Sequence, residues 1–282
     1  MPDAGQELMG KIIKTARALP PMPQIIVRAT AVLSDENAGF REIARVLETD
    51  QAMATRVLKL ANSAYYGLRV PVNSVQQASA LLGTKTLFEM ITVVSSSKMM
   101  GKRLDGYDIP ARDVWRHSLF TALGAKAIAE DQCPDLADDA FMAGLLHDAG
   151  MLILDDYITK EKSRFEKLLE NGKTISRAES MIFKFSHAQL ASEYLKKWKL
   201  PASQTHAIEF HHQPSSSGGD TLSYILHAAD AMANQKTLEK NFTMEPDAES
   251  FLGLEPEKVQ AMGALVQEST DGLIASMEAQ TD

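Results

Sequence analysis

Cysteine is nearly absent. Cys133 is the only one in 282 residues, which excludes an internal disulfide and any paired-cysteine metal or redox motif. No run of ~18 apolar residues occurs, so no membrane-spanning helix is expected. The opening stretch MPDAGQELMGKIIKTARALP has acids near its start and no long apolar core, which speaks against a secretory signal. A reducing cytoplasm is the expected compartment. Histidine is missing from the first 116 residues; all seven lie between His117 and His227.

The chain is acidic overall, at −8, but unevenly so. Residues 1–105 hold 13 Lys and Arg against 9 Asp and Glu, or +4, whereas residues 106–282 hold 16 against 28, or −12. An acidic second half repels phosphate backbones, so nucleic acid is not an expected partner. The basic excess of the first half reads as solvated helix faces.

Nearly every periodic stretch has helical spacing. Pro23 suits a helix N1 position, followed by Ile25, Ile26, Ala29, Val32 and Leu33. Phe40, Ile43, Ala44 and Leu47 repeat the pattern. Asp50 is a good N-cap for the next helix, with Gly67 expected at its end. Ser74 and Thr84 are expected to cap two more helices, and Pro71 weakens the one tempting strand, Val70 to Val72. A break at GKRLDGYDIP precedes further helices near 111–130, 136–156, 160–170, 174–183, 186–198, 201–211 and 220–234. HQPSSSGGDT reads as a flexible connector, and a last helix runs from Pro256 towards Met277. The fold expected is all-α and two-lobed: a short-helix bundle over 1–105, a helical lobe over 106–235 and a helical tail over 236–282. That tail either docks on its own bundle, the default, or pairs with a second copy in a homodimer.

Five histidines fall in short motifs: His117 in WRHS, His147 beside Asp148 in LLHDAG, His187 in FSHAQLA, and His211-His212 in EFHHQP. Asp230 follows in HAADA. Imidazole and carboxylate together suit a borderline or hard divalent cation. A mutually hydrogen-bonded core cluster is the bland alternative, but burying so many ligand groups without partners costs ~1–3 kcal/mol each. His206 reads as a surface or supporting histidine, and His227 either orients Asp230 or is a satisfied interior residue. Asn62-Ser63 reads as a polar helix end, and the 14 methionines as core filler, with Met99-Met100 a candidate contact surface.

LPPMPQI, LETDQAMATRVLKLANSAYYG and SVQQASALLG resemble the first half of the HDOD family, and LLHDAGMLIL, the WKLP turn and EFHHQP resemble its HD-like half. Together they span roughly residues 10 to 235. HD alone arises often by chance; both halves in this order do not. The resemblance implies a bacterial signalling output or adaptor module whose second lobe is related to the HD metal-dependent phosphohydrolases. It implies metal ligation by His117, His147, Asp148 and Asp230, and, by similarity to the HD-GYP subgroup, a second metal at His187, His211 and His212. The same similarity implies a further candidate ligand at Asp113, one helical turn before His117. One or two ions of iron, manganese or zinc are the expected cofactors.

Two departures bear on activity. The lysine that HD-GYP enzymes place three residues after the HD aspartate is Met151 here, which carries no charge. The Gly-Tyr-Pro loop after the histidine pair is replaced by QPSSSGGDT. The expected function is regulation through signalling-protein contacts, with a nucleotide-type molecule as a candidate ligand. The alternative is a metal-dependent phosphodiesterase or nucleotide phosphohydrolase.

Overall fold

The computed structural model describes residues 4–15, 24–33, 40–234 and 242–278. Among them the chain is helical and strandless, as the periodicity requires, with one isolated bridge between Leu104 and Ile109. None of the described helices is long and apolar enough to cross a membrane. Pro23 and the side chains of Met99 and Met100 lie outside the described residues. By contact the chain forms two compact units, Met1–Pro20 with Met100–Val266 and Pro21–Met99 with Gln267–Asp282.

Helix α1 (Ala4–Thr15) belongs to the first of these units, where Thr15 Oγ1 lies 3.4 Å from Tyr157 Oη. The second unit contains α2 (Gln24–Leu33), α3 (Phe40–Glu48), α4 (Gln51–Ala61) and α5 (Val75–Met100). Its core includes Ile26, Ala29, Ile43, Leu47, Val57, Leu60 and Met90. Asp50 caps α4 by accepting from the Met53 N–H at 2.9 Å. Gly67 does not end that helix. Asn62 does so, because its side chain bonds both the N–H (2.8 Å) and the carbonyl (2.9 Å) of Val72 and draws the chain away from the helix axis. Gly67, at φ 59, instead closes a 3-10 turn over Ala64–Tyr66. Ser74 accepts from the Gln77 N–H, and the two helices expected here run on as α5 with a break at Gly83 (φ 85, ψ 164).

The first unit continues with α6 (Ala111–Gln132), α7 (Ala137–Leu146), α8 (Ala149–Lys160), α9 (Lys162–Glu170), α10 (Ile175–Phe183), α11 (His187–Lys196), α12 (Ala202–Phe210), α13 (Thr221–Asn234) and α14 (Pro246–Leu252). Helix α15 (Pro256–Glu278) begins in this unit. The single helix expected over 136–156 is two: α7 and α8 meet at His147-Asp148, where Asp148 leaves helical geometry (φ −93, ψ 9). Glycines flank the junction because backbones meet there. A Cβ on Gly144 would lie 2.7 Å from Ala122 Cα of α6, and one on Gly150 only 2.0 Å from the His187 carbonyl oxygen at the start of α11.

HQPSSSGGDT, expected as a flexible connector, is tied down. Ser217 Oγ accepts from the Asp220 N–H at 3.1 Å, and Asp220 Oδ2 accepts from Ser223 N–H (2.8 Å) and Ser223 Oγ (2.6 Å), capping α13. The start of α15 docks on the chain itself through Lys258 and Asp131, 2.6 Å apart.

Candidate metal centre

Five elements converge on one buried point. α6 supplies His117, the α7–α8 junction His147 and Asp148, the first turn of α11 His187, the end of α12 His211 and His212, and α13 Asp230. His187 is held at the helix start by a capping box in which Ser186 and Gln189 satisfy each other's backbone N–H. All but His212 are fully or nearly buried.

The ligand atoms form two overlapping sets bridged by Asp148, and a third grouping of His147, His211 and Asp230 crosses between them. In the first, His117 Nε2 lies 3.2 Å from His147 Nε2, 3.0 Å from Asp230 Oδ1 and 3.4 Å from Asp148 Oδ2. His147 Nε2 is 3.1 Å from the same Asp148 Oδ2. In the second, the other oxygen of Asp148, Oδ1, is 3.1 Å from His187 Nε2 and 3.9 Å from His211 Nε2. His212 Nε2 is 2.9 Å from His187 Nε2. Donors held ~2.1 Å from one ion, at right or tetrahedral angles to each other, stand ~3.0–3.4 Å apart, so these spacings fit a cation.

Three histidines are pre-set to ligate through Nε2. His147 Nδ1 lies 2.8 Å from the Gly144 carbonyl and His211 Nδ1 lies 2.7 Å from the Ile208 carbonyl. His187 Nδ1 lies 2.8 Å from Glu179 Oε2. A carbonyl oxygen only accepts, so each of the first two Nδ1 atoms carries a proton, which leaves Nε2 as the nitrogen available for a metal at the centre. Three buried polar atoms here have no hydrogen-bond partner among the described residues: His211 Nε2, His212 Nδ1 and Asp230 Oδ2. A cation among them would satisfy donors that are otherwise costly to bury. The residual void bounded by His117, Asp148, His187, His212, Asp230 and Met151 is about 10 Å³, the space of about one water and too small for a substrate.

Metal-free, the cluster balances its charge with protons. Burial pushes the His147 imidazole down, but Asp148 and Asp230 outweigh it and hold it up at about 10. His187 is likewise raised against burial, by Glu179 and Asp148. Burial would raise the Asp148 and Asp230 carboxyls; the surrounding histidines hold both well below the usual carboxylate range. His211 is pushed down to about 3 by burial and the charge of His147, and His212 also falls, by burial and its histidine neighbours.

Asp113 sits in the first turn of α6, half-exposed, and belongs to none of the ligand groups. His227 is a satisfied interior histidine rather than a support for Asp230: Nδ1 lies 2.6 Å from the His211 carbonyl, and Nε2 accepts from the Glu245 N–H at 2.8 Å. His206 is outside the cluster, with Nε2 3.1 Å from the Ser217 carbonyl. Sequence reasoning missed Glu179, whose second oxygen accepts from the buried Tyr107 hydroxyl at 2.6 Å. It also missed Asn234, which donates to Asp230 Oδ1 at 2.8 Å.

An all-α lobe here gathers an adjacent His-Asp at a helix junction with histidines and an aspartate from neighbouring helices. The HDOD domain model matches residues 19–214, and the chain belongs to the HDOD family. An uncharacterized protein of Treponema pallidum (strain Nichols) is 22% identical over 198 residues, 69% of this chain but only 37% of that protein's length. An HDOD domain protein of unknown function from Geobacter sulfurreducens is 25% identical, with a TM-score of 0.73 over 97% of this chain and 95% of its own. A protein of Shewanella amazonensis SB2B, provisionally assigned as a phosphohydrolase, is 19% identical, with a TM-score of 0.74 over 96% of this chain and 97% of its own. A protein of Marinobacter aquaeolei VT8, provisionally assigned to signal transduction, is 23% identical, with a TM-score of 0.75 over 99% of this chain and 66% of its own. The last two likenesses are of fold.

Proposed function

We propose that this chain is a regulatory HDOD module that holds a pair of divalent cations and transmits a signal through contacts with a protein partner. The observation that carries the metal reading is Asp148: its two oxygens face different donors, Oδ2 towards His117 and His147 and Oδ1 towards His187 and His211. A nitrogen and oxygen set of this kind suits iron, manganese or zinc. When bound, such ions supply Lewis acidity and an acidified water. The residues of the chain orient the donors, exclude bulk solvent and, metal-free, hold protons on His147 and His187.

A regulatory rather than hydrolytic role is supported by Met151. It is 3% exposed and lines the void beside Asp148, where it offers neither charge nor a hydrogen-bond donor to a reacting phosphate. The shared carboxylate favours the second reading, a metal-dependent phosphodiesterase or nucleotide phosphohydrolase. Metal analysis by mass spectrometry of untagged protein beside the His147→Ala/Asp148→Ala variant tests the centre. About two equivalents in the wild type, lost in the variant, support it; none under reducing, metal-supplemented conditions removes it. Turnover of cyclic dinucleotides or nucleotides by loaded protein, abolished by Asp148→Ala, would replace the regulatory reading with the enzymatic one.

A further inference from the structure

Beside the metal donors opens a cleft of about 370 Å³ that the reading above does not use. Its floor includes His212, which also bounds the inner void, so cleft and centre share a wall. One side is the outer face of α10 and the turn after it, with Arg177, Ser180 and Lys184. Arg177 and Lys184 are exposed, and neither takes part in an ion pair or a side-chain hydrogen bond among the described residues. Lys184 is held at φ 74, a left-handed conformation that a non-glycine residue adopts uncommonly, at the point where the chain turns from α10 towards α11. Phe210 and Phe242 also line it, with the Phe242 ring 5.1 Å from His212 and 5.3 Å from His227.

We propose that this cleft binds a phosphate-bearing small molecule of mononucleotide size, its phosphate held by Arg177 and Lys184 and its base against Phe242. Unpaired guanidinium and ammonium groups with hydroxyls between them match the charge and acceptor geometry of phosphate. The half-exposed Phe242 ring lining the cleft offers a stacking face that any base accepts. The volume lies within the ~300–1,000 Å³ range of small-molecule sites, at the end suited to one nucleotide rather than two. The two carboxylates that also line the cleft are already engaged. Glu209 accepts from Ser192 Oγ at 3.3 Å with Lys196 4.0 Å away, and Glu245 accepts from the Ser215 N–H at 3.4 Å. They steer an anion towards the α10 side. The proposal deepens the regulatory reading, on which it rests for its meaning, by giving the input signal a chemistry.

The test is calorimetric titration of the full chain with AMP and GMP at millimolar concentration and low salt, with metal content measured on the same samples. Binding of either nucleotide is expected, weakened at least tenfold in Arg177→Gln/Lys184→Asn, with metal content unchanged. Asparagine tolerates the left-handed backbone at position 184, so the double variant should fold. Phe242→Ala should weaken nucleotide binding and leave pyrophosphate binding as it was. Failure of both nucleotides to bind the wild type, or equal affinity in the double variant, overturns the proposal. In either case the metal measurement reports separately on the centre: metal without nucleotide sinks only this inference, and nucleotide without metal sinks only the metal reading.

Discussion

Glu179 grips His187 twice through one oxygen: Oε2 accepts from the backbone N–H at 2.7 Å and lies 2.8 Å from ring Nδ1. The ring and the start of α11 are fixed by the same carboxylate, and Tyr107 fixes that carboxylate in turn. Glu179→Gln replaces one acceptor oxygen by a donor that cannot serve all three partners. Metal retention against a chelator should fall roughly 10–100-fold while the protein still folds. Retention equal to wild type would show that His187 needs no such support.

The shared carboxylate predicts unequal losses of metal. Asp148→Asn alters both donor sets and should empty the centre, whereas His117→Ala touches only the first set and should leave the second ion. Metal equivalents per chain read this directly. Identical stoichiometry in the two variants would contradict the two-set arrangement.

Stability of the metal-free protein should peak near pH 6.5. His147 and His187 are raised above their ordinary value, His147 to about 10, so their contribution is complete below ~6.5 and is lost as pH rises towards 10. His211 and His212 are depressed, His211 to about 3, so stability falls as pH drops below ~6.5 and the unfolded chain takes up protons that the folded one refuses. Depressed Asp148 and Asp230 add to the acid loss as their carboxylates are titrated. Melting temperatures of chelator-treated protein from pH 4 to 10 check the shape. A monotonic rise or fall would refute it.

Two glycine substitutions should act with opposite signs. Gly150→Ala places a Cβ against the His187 carbonyl and should destabilise by ~1–3 kcal/mol while disturbing that ligand. Gly272→Ala, in α15 with nothing within 4 Å, should stabilise by ~0.5–1 kcal/mol through helix propensity alone. Denaturant melts separate the two.

The helices and the gathered ligand positions are legible in the sequence because each rests on local information: apolar spacing, a cap, a short motif around a histidine. The break at His147-Asp148 is not legible. ADDAFMAGLLHDAGMLILDDY has helix-forming character throughout, and what ends α7 is the close approach of α6 and α11 at Gly144 and Gly150. Glu179 leaves a faint signal, a carboxylate on the stripe otherwise made by Ile175 and Phe183. Tyr107 leaves none, since its position depends on a loop closed by reciprocal Leu104 and Ile109 backbone bonds. Asn62 reads as a helix end, but the partner that makes it a latch, Val72, is ten residues away.

Because Asp148 gives one oxygen to each donor set, the two sets cannot be filled as independent events. Whatever factor the first ion imposes on the affinity for the second, the second imposes on the first. On the proposed two-ion reading, occupancy should change more steeply with metal supply than that of a single-ion site whenever that factor is favourable.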